Sequence, residues 1–195
     1  MTSEQCSDIN LEFNNKFYRR CAQFTSLLQQ WGKVHNLTAE LQNDKIDKNI
    51  LDSIYPLQFL NNFESFADIG TGAGYPGLLL AIARPEVKAV LIEPRGKRVA
   101  FLNFVKNALA LENVEIICDR VENVKDRTFD LITSRAVTNT SLLMDLTKNI
   151  SDENTEFLFY KGSMLDSEIK DATLKQFEII NVKDRNYLYI KNKDN

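Results

Sequence analysis

The chain has 195 residues, of which 44% are hydrophobic and 26% charged, and no apolar run approaches the roughly 20 residues of a membrane helix. Its three cysteines are odd in number and show no C-x-x-C spacing, which excludes a zinc cage and a disulfide framework and predicts a cytoplasmic protein. The net charge of −3 argues against a general nucleic-acid binder, although phosphate contact requires only a local basic patch.

Residues 1–63 have helical periodicity. Apolar residues recur at steps of three and four, as in an amphipathic helix: Phe13, Phe17, Cys21, Phe24, Leu28 and Trp31. A second helix is predicted over residues 46–60, with Pro56 kinking or ending it. We expect residues 1–63 to be a helical extension that packs on a domain of residues 64–195, so that the two form one compact unit.

From residue 65 onward, short strand-like runs alternate with helical stretches. Five apolar runs predict parallel strands, at residues 66–69, 87–92, 114–118, 129–133 and 156–160. Helices are predicted over residues 97–111, 138–150 and 164–175. Two final runs, 177–182 and 187–190, predict an antiparallel hairpin with its turn at residues 184–186. The pattern predicts a doubly wound α/β domain with a mostly parallel sheet.

A glycine-rich loop directly follows the first predicted strand. It reads D-I-G-T-G-A-G-Y-P-G over residues 68–77, and its glycines let a ligand approach the backbone without a Cβ in the way. In open α/β sheets, ligands bind at the carboxyl ends of the strands, where the strand order reverses. Glu93 ends the second predicted strand, where its carboxylate can accept hydrogen bonds from both hydroxyls of a ribose.

Two cofactors fit this loop. Gly72, Gly74 and Gly77 form a G-x-G-x-x-G motif, which together with Glu93 could bind NAD. However, Asp68 stands where a dinucleotide site usually has an apolar residue. A carboxylate at that point suits the ammonium group of a ligand with an amino-acid end. We therefore favour S-adenosylmethionine, and NAD or a purely structural glycine turn remain the alternatives.

Further motifs surround the glycine loop in a specific order. They are W-G-K-V-H-N-L-T (31–38), I-L-D-S (50–53), G-K-R-V-A-F-L (96–102), R-V-E (120–122), S-R-A (134–136) and K-G (161–162). With these motifs the sequence resembles the RsmG (GidB) family of 16S rRNA guanine-N7 methyltransferases. The resemblance implies a class I, Rossmann-like methyltransferase fold with a mostly parallel seven-stranded sheet, a C-terminal antiparallel hairpin and an N-terminal helical extension. It implies methyl transfer from S-adenosylmethionine to N7 of a guanine in 16S rRNA, in the small ribosomal subunit.

The resemblance also implies roles for single residues. Besides Asp68, Gly72 and Glu93, the expected cofactor-binding residues are Gly70, Tyr75, Val121, Glu122 and Arg135. The sequence departs from the family where Asn49 replaces a usual histidine, where Tyr75 replaces a commoner Phe or Leu, and where residues 151–156 lack the usual glycines.

Arg135 is the expected catalytic residue, through positioning of the guanine. Guanine N7 already presents a lone pair, so no general base is required, and positioning can supply roughly 7–11 kcal/mol in the best cases. Arg135 follows the fourth predicted strand, where it can donate to guanine O6 and leave N7 free; the alternative is a solvent-facing salt bridge. His35 is expected at the surface or as a helix cap, and Cys118 in the core.

RNA contacts are predicted from the basic residues near the cofactor strand: Arg95, Lys97, Arg98 and Lys161. Such residues would hold phosphates and position the RNA; the alternative is a solvated helix start. The target base should lie in a loop or be splayed out, because the A-form major groove hides N7. No metal, membrane or obligate protein partner is expected. The alternative functions are methylation of another RNA or a small molecule, a non-catalytic role in ribosome assembly, and NAD-dependent oxidoreduction.

Overall fold

A computed structural model describes residues 1, 3–7, 9–35, 37–38, 40–135, 137–161, 176–182 and 185–191. The helix predicted over residues 164–175 lies outside these ranges. The strands are β1 (Ser65–Ile69), β2 (Lys88–Ile92), β3 (Val114–Ile117), β4 (Leu131–Arg135), β5 (Glu156–Lys161), β6 (Phe177–Val182) and β7 (Arg185–Ile190). The α-helices are α1 (Ser3–Ser7), α2 (Asn15–His35), α3 (Asn43–Ile54), α4 (Gly77–Ala83), α5 (Gly96–Ala108) and α6 (Thr140–Leu146).

In the described part of the chain, seven strands form one sheet in the order β3-β2-β1-β4-β5-β7-β6. Strands β1 to β5 pair in parallel, and β7 lies antiparallel to both β5 and β6. The strand order reverses beside β1, because the chain first builds outward to β3 and then returns to β4 on the other side. The predicted mostly parallel fold with its C-terminal hairpin is confirmed, and the reversal places a ligand crevice at the ends of β1 and β4.

Three details of the sequence prediction are wrong. The fourth strand covers Leu131–Arg135 instead of residues 129–133, because its pairing with β5 continues to Arg135 opposite Tyr160. Strand β7 already begins at Arg185, which pairs with Val182, so residues 185 and 186 belong to the ladder and not to the turn. Cys118 is exposed, because it follows the last residue of β3, which is the edge strand of the sheet and has a neighbouring strand on one side only.

The N-terminal helices share one hydrophobic cluster with the face of the sheet that α4 covers. Helix α2 contributes the buried side chains predicted from its periodicity, α3 adds isoleucines, and α4 adds leucines: Phe17, Cys21, Phe24, Leu28, Ile46, Ile50, Ile54, Leu78 and Leu79. Full burial of such a side chain stabilises the fold by about 1.5–3 kcal/mol. Helix α3 ends at Ile54, and the chain continues through Pro56 as a short 3-10 turn, because proline lacks the amide that the helix requires.

The opposite face of the sheet carries a second cluster, which packs against α6. It contains Ile69, Ile132, Phe157, Phe159 and Leu143 among its buried members. Asn139 caps α6 by accepting a hydrogen bond from the amide of Leu142 at 2.9 Å. Within the described residues, no helix combines the length and the apolar character that spanning a bilayer requires. Both faces of the sheet are thus covered, and its carboxyl edge remains open.

Candidate active site

A cavity of about 870 Å³, here called the main cavity, opens at the carboxyl ends of β1 to β4. Its walls come from the segment after α2, the glycine loop (residues 70–77), the segment after β2, the turn after β3 and the end of β4. The lining residues include Leu37, Thr38, Ile69, Gly70, Thr71, Gly72, Ala73, Tyr75, Ile92, Glu93, Pro94, Arg95, Arg98, Asp119, Arg120, Val121, Glu122, Arg135, Val137 and Leu146. Most of the sequence-predicted cofactor residues are therefore brought together around one cavity.

The glycine loop turns sharply at the end of β1. Gly70, Gly72 and Gly74 have φ values of 67°, 60° and 98°, in the left-handed region that residues with a Cβ rarely adopt. Gly77 is required for a different reason, because a Cβ at this position would lie 2.6 Å from Asp68 Oδ2. The loop can therefore pass close to β1 and present its backbone to the cavity.

Asp68 is fully buried behind the glycine loop and is not among the residues that line the main cavity. Its Oδ2 accepts a hydrogen bond from the amide of Gly77 at 2.9 Å, and its Oδ1 accepts one from Thr133 Oγ1 at 2.8 Å. Burial raises the pKa of Asp68 to about 6, although these two hydrogen bonds oppose the rise. The carboxylate ties the loop to α4 and β4, and its contact with a ligand ammonium group stays a prediction.

Glu93 joins the glycine loop to the segment after β2. It is buried, with 2% of its surface exposed, and it lines the main cavity. Its Oε2 accepts from the amide of Gly72 at 3.0 Å and from Arg98 Nη1 at 3.4 Å, while its Oε1 accepts from the amide of Arg95 at 3.0 Å. A carboxylate has about four acceptor sites, so the side chain retains capacity for a ribose hydroxyl.

The turn after β3 forms the wall that faces Glu93. Val121–Asn123 is a 3-10 turn, in which Val121 is buried and Glu122 half-buried, and both line the main cavity. Asn149 Nδ2 donates to the carbonyl oxygen of Glu122 at 3.2 Å and ties the turn to the segment after α6. The apolar side chain of Val121 suits the flat face of a base, and the polar Glu122 beside it suits the polar edge.

Arg135 ends β4 at the rim of the main cavity, and its side chain is only 16% exposed. Its Nη1 donates to Asn49 Oδ1 at 2.9 Å and to Asp52 Oδ2 at 3.3 Å, both on α3. The guanidinium carbon lies 4.7 Å from the centre of the Tyr75 ring, which adds a cation–π contact. Arg135 does form a salt bridge, as the alternative foresaw, but the pair with Asp52 is largely buried and does not face solvent.

Tyr75 separates Arg135 from the core of the helical extension. Its ring packs edge-on against Phe24 of α2, with 5.4 Å between the ring centroids. The hydroxyl is buried and finds no hydrogen-bond partner among the described residues. Burial also raises the pKa of Tyr75, so the group is a neutral phenol at physiological pH.

The residues that hold Arg135 from α3 were missed as functional residues. Asp52 is only 10% exposed, and its Oδ1 accepts from Arg185 Nε and from Tyr187 Oη, each at 2.9 Å. Asn49 is oriented by its own amide, which donates to Glu40 Oε2 at 2.8 Å. The motif I-L-D-S marks Asp52 in the sequence, but its pairing with Arg135 joins residues 83 positions apart.

The four residues predicted to contact RNA occupy different environments. Arg95 is exposed on the wall of the main cavity, and Lys97 is exposed in the first turn of α5 without lining that cavity. Arg98 is half-buried, and its guanidinium pairs with Glu93 in the wall of the main cavity. Lys161 is only 8% exposed, and its Nζ donates to the carbonyl oxygen of Thr138 at 3.2 Å. Their RNA contacts stay predictions.

The main cavity fits a nucleoside. The glycine loop offers backbone without a Cβ, Glu93 offers a carboxylate to a ribose, and Val121 offers an apolar face to a base. Within the ranges that the structure describes, no three His, Cys, Asp or Glu side chains are grouped as metal ligands.

Sequence relatives match nearly the whole chain. Residues 18–194 match the family model described as rRNA small subunit methyltransferase G. The chain is 64% identical over 182 residues to the ribosomal RNA small subunit methyltransferase G of Aliarcobacter butzleri, covering 93% of this chain and 94% of that protein. It is 42% identical over 185 residues to the protein of the same name from Wolinella succinogenes, covering 95% of each.

Solved structures show the same fold at low sequence identity. A SAM-dependent methyltransferase from Aquifex aeolicus aligns with a TM-score of 0.60 at 17% identity, covering 77% of this chain and 98% of that one. The ribosomal protein L11 methylase from Lactobacillus delbrueckii subsp. bulgaricus aligns with a TM-score of 0.57 at 14% identity, covering 80% and 81%. These similarities support the Rossmann-like fold.

Proposed function

The chain belongs to the rRNA small subunit methyltransferase G family, and we propose that it transfers a methyl group from S-adenosylmethionine to N7 of a guanine in 16S rRNA. The order of the sequence motifs predicted this family, and that prediction is confirmed. Membership makes the protein an S-adenosylmethionine-dependent methyltransferase that acts on small-subunit rRNA. We further propose that the acceptor guanine is presented within the small ribosomal subunit.

The proposal depends on one observation: the residues predicted to bind the cofactor and a fixed arginine side chain line the same cavity. The glycine loop and Glu93 form a nucleoside site at the point where the strand order reverses. A preformed guanidinium, that of Arg135, stands at the rim of the same cavity.

Residues of the glycine loop, Glu93 and the Val121 turn would hold S-adenosylmethionine, which supplies an electrophilic methyl group on a sulfonium. Glu93 would accept from the ribose, while Gly70 and Gly72 would let the ligand lie against the backbone. Val121 and Glu122 would face the adenine. Asp68 would act indirectly from behind the loop. It would hold the amide of Gly77 in place, and its negative charge would attract the ammonium group of the cofactor.

Arg135 would orient the acceptor guanine. Its Nη1 is occupied by Asn49 and Asp52, so the guanidinium is fixed while its other N–H groups have no partner among the described residues. These donors suit guanine O6, the acceptor next to N7 on the same edge of the base. Because N7 carries a free lone pair, the site needs orientation and not proton removal, and a preorganised arginine supplies this.

A methyl-transfer assay tests the proposal. Small subunits from cells that lack this enzyme would be incubated with labelled S-adenosylmethionine, and their 16S rRNA digested and analysed by mass spectrometry. We expect 7-methylguanosine at one position. Label on another atom or another RNA would indicate a different acceptor. Cofactor binding without any label would favour a non-catalytic role in ribosome assembly.

Variants of Arg135 sharpen this assay. Arg135→Ala should bind the cofactor and slow methyl transfer about 100-fold or more, while Arg135→Lys should recover only part of the rate, because lysine lacks the planar fork of donors. Arg127→Ala is the matched control, since Arg127 is exposed and pairs with Glu115 at 2.9 Å outside the main cavity. Near-normal turnover by a folded Arg135→Ala protein would refute the role proposed for Arg135.

A further inference from the structure

A second cavity, of about 470 Å³, lies at the opposite edge of the sheet from the main cavity. One wall is formed by Lys16, Arg19, Arg20 and Gln23 of α2, and the other by Pro85, Leu109, Ala110, Glu112 and Asn113. The residues of the second wall come just before β2 and β3 in the chain, whereas residues that line the main cavity come just after these strands. We call this cavity the basic groove.

Helix α2 connects the basic groove with the main cavity. Its first turns line the basic groove, and Leu37 and Thr38, just beyond its end, line the main cavity. A helix of 21 residues is about 31 Å long at 1.5 Å per residue. The groove-lining residues of α2 lie 12 to 19 residues before its end, so the two cavities are separated by roughly 20–30 Å along one rigid element, a distance that a structured RNA can span.

The charge of α2 contrasts with that of the whole chain. The helix contains Lys16, Arg19, Arg20 and Lys33 but no Asp or Glu, in a chain of net charge −3. Lys16 and Arg19 are exposed, and neither forms an ion pair with a residue that the structure describes. Since neither cation is paired within the described part of the chain, both can meet an external anion.

Arg20 has a structural role in the same groove. It is only 8% exposed, and its Nη2 donates to the carbonyl oxygen of Ala110 at 2.8 Å. This bond joins α2 to the opposite wall and fixes the width of the groove. The positive charge of Arg20 remains in the groove, because no acidic partner among the described residues neutralises it.

We propose that the basic groove binds the phosphate backbone of the rRNA substrate at a point remote from the methylated guanine; this rests on the proposed function. Phosphate contacts position a nucleic acid without reading its sequence, so a groove with lysine and arginine side chains is sufficient. An RNA already engaged at the main cavity meets the groove at a high effective concentration, so even a weak second contact increases the overall affinity. This linkage through α2 favours RNA over an acidic protein segment as the occupant.

Glu112 allows a test in which the sign of the effect is predicted. It is exposed on the wall opposite α2 and pairs with no described residue. Its carboxylate repels a phosphate in the groove, so Glu112→Gln should increase RNA affinity. A Lys16→Gln/Arg19→Gln double variant should decrease RNA affinity. A general effect of net charge is controlled by Lys45→Gln/Lys148→Gln, which removes two exposed cations outside both cavities.

The experiment measures binding of deproteinised 16S rRNA between 50 and 200 mM salt. For the Lys16→Gln/Arg19→Gln variant, the slope of log Kobs against log salt should become shallower by about 1.4–1.8, since each lost phosphate contact removes about 0.7–0.9. The KM for RNA should rise while kcat and cofactor affinity stay at their parental values. A slope equal to that of the control variant, or a Glu112→Gln variant that binds RNA no better than the parent, would overturn the proposal.

Two further outcomes are distinguishable. If the double variant loses activity on intact small subunits but binds deproteinised RNA normally, the groove contacts an acidic ribosomal protein, and the proposal is wrong. If the parental protein itself methylates no rRNA, the proposed function fails, and this is observed before any groove variant is compared.

Discussion

Arg135 Nη1 donates to Asn49 Oδ1 at 2.9 Å, and this bond joins the last residue of β4 to the middle of α3. Asn49 stands where the family usually has a histidine, and its amide oxygen accepts from Arg135 irrespective of pH. The N-terminal helices therefore do more than cover the core, because they orient the arginine that we propose holds the guanine.

Replacing Asn49 tests whether this orientation matters for turnover. Asn49→Ala removes a hydrogen bond to a charged group, worth about 1.5–3 kcal/mol, so kcat/KM for rRNA should fall roughly tenfold or more. Asn49→Asp retains an acceptor beside Arg135 and should preserve most of the activity. Steady-state kinetics, with calorimetry to confirm cofactor binding, would measure both; equal rates for Asn49→Ala and the parent would argue against a positioning role.

Asp52 should contribute to stability as well as to orientation. Its carboxylate pairs with Arg135 at 3.3 Å and with Arg185 at 2.9 Å, so Asp52→Ala leaves two guanidinium groups without their acid. Breaking a buried pair costs about 3–5 kcal/mol, and the lower end applies here because Arg185 is 32% exposed. We expect the Tm to fall by roughly 6–12 °C in thermal unfolding. Lys45→Ala, at an exposed position of the same helix, should change the Tm by no more than about 2 °C.

Glu93 should be necessary for cofactor affinity. Glu93→Gln keeps the size of the side chain but loses the charge, and the amides of Gly72 and Arg95 then compete for one acceptor oxygen. Loss of charge-assisted hydrogen bonds of this kind should weaken S-adenosylmethionine binding about 10- to 100-fold in calorimetry. Glu115→Gln, on the exposed face of β3, is the control. Unchanged affinity of the Glu93→Gln protein would exclude the carboxylate from the cofactor site.

The stability of the cofactor-free protein should depend on pH through Asp68. Its pKa is raised from 3.8 to about 6 in the folded state, so the folded protein binds more protons than the unfolded chain between these pH values. The contribution of Asp68 to the free energy of unfolding should therefore fall as the pH rises from about 4 to about 7, by on the order of 3 kcal/mol. Asp68→Asn should remove this part of the pH dependence. Denaturant unfolding at several pH values would measure it, and identical profiles for the two proteins would contradict the prediction.

The Tyr75 hydroxyl should destabilise the free protein. It is buried without a hydrogen-bond partner among the described residues, so its loss of hydration is not compensated. Tyr75→Phe should raise the free energy of unfolding by about 1 kcal/mol and the Tm by about 2–4 °C, while the ring contact with Arg135 is retained. Tyr75→Ala removes the ring as well and should lower both the free energy of unfolding and the Tm. A lower Tm for Tyr75→Phe would reveal a partner for the hydroxyl.

Local patterns predicted most of the architecture. The apolar periodicity of α2 and the alternation of strands and helices are consequences of neighbouring residues, so they are readable along the chain. The ends of the strands were predicted less accurately. Strand β4 extends to Arg135 because β5 provides a pairing partner up to Tyr160, and this pairing is not visible in the local sequence. The same limit applies to Cys118, whose apolar neighbours indicated a core position although the edge of the sheet leaves it exposed.

The sequence by itself determined the fold class, the family and the glycine loop with Asp68 and Glu93, because each depends on residue types and on their order along the chain. Only the tertiary structure decided what holds Arg135, since Asn49 and Asp52 lie on a helix more than 80 residues earlier in the chain. It also placed Asp68 behind the loop and brought the cations of α2 to the wall opposite Glu112. Contacts of this kind depend on how helices pack across a sheet, and no pattern of neighbouring residues encodes that packing.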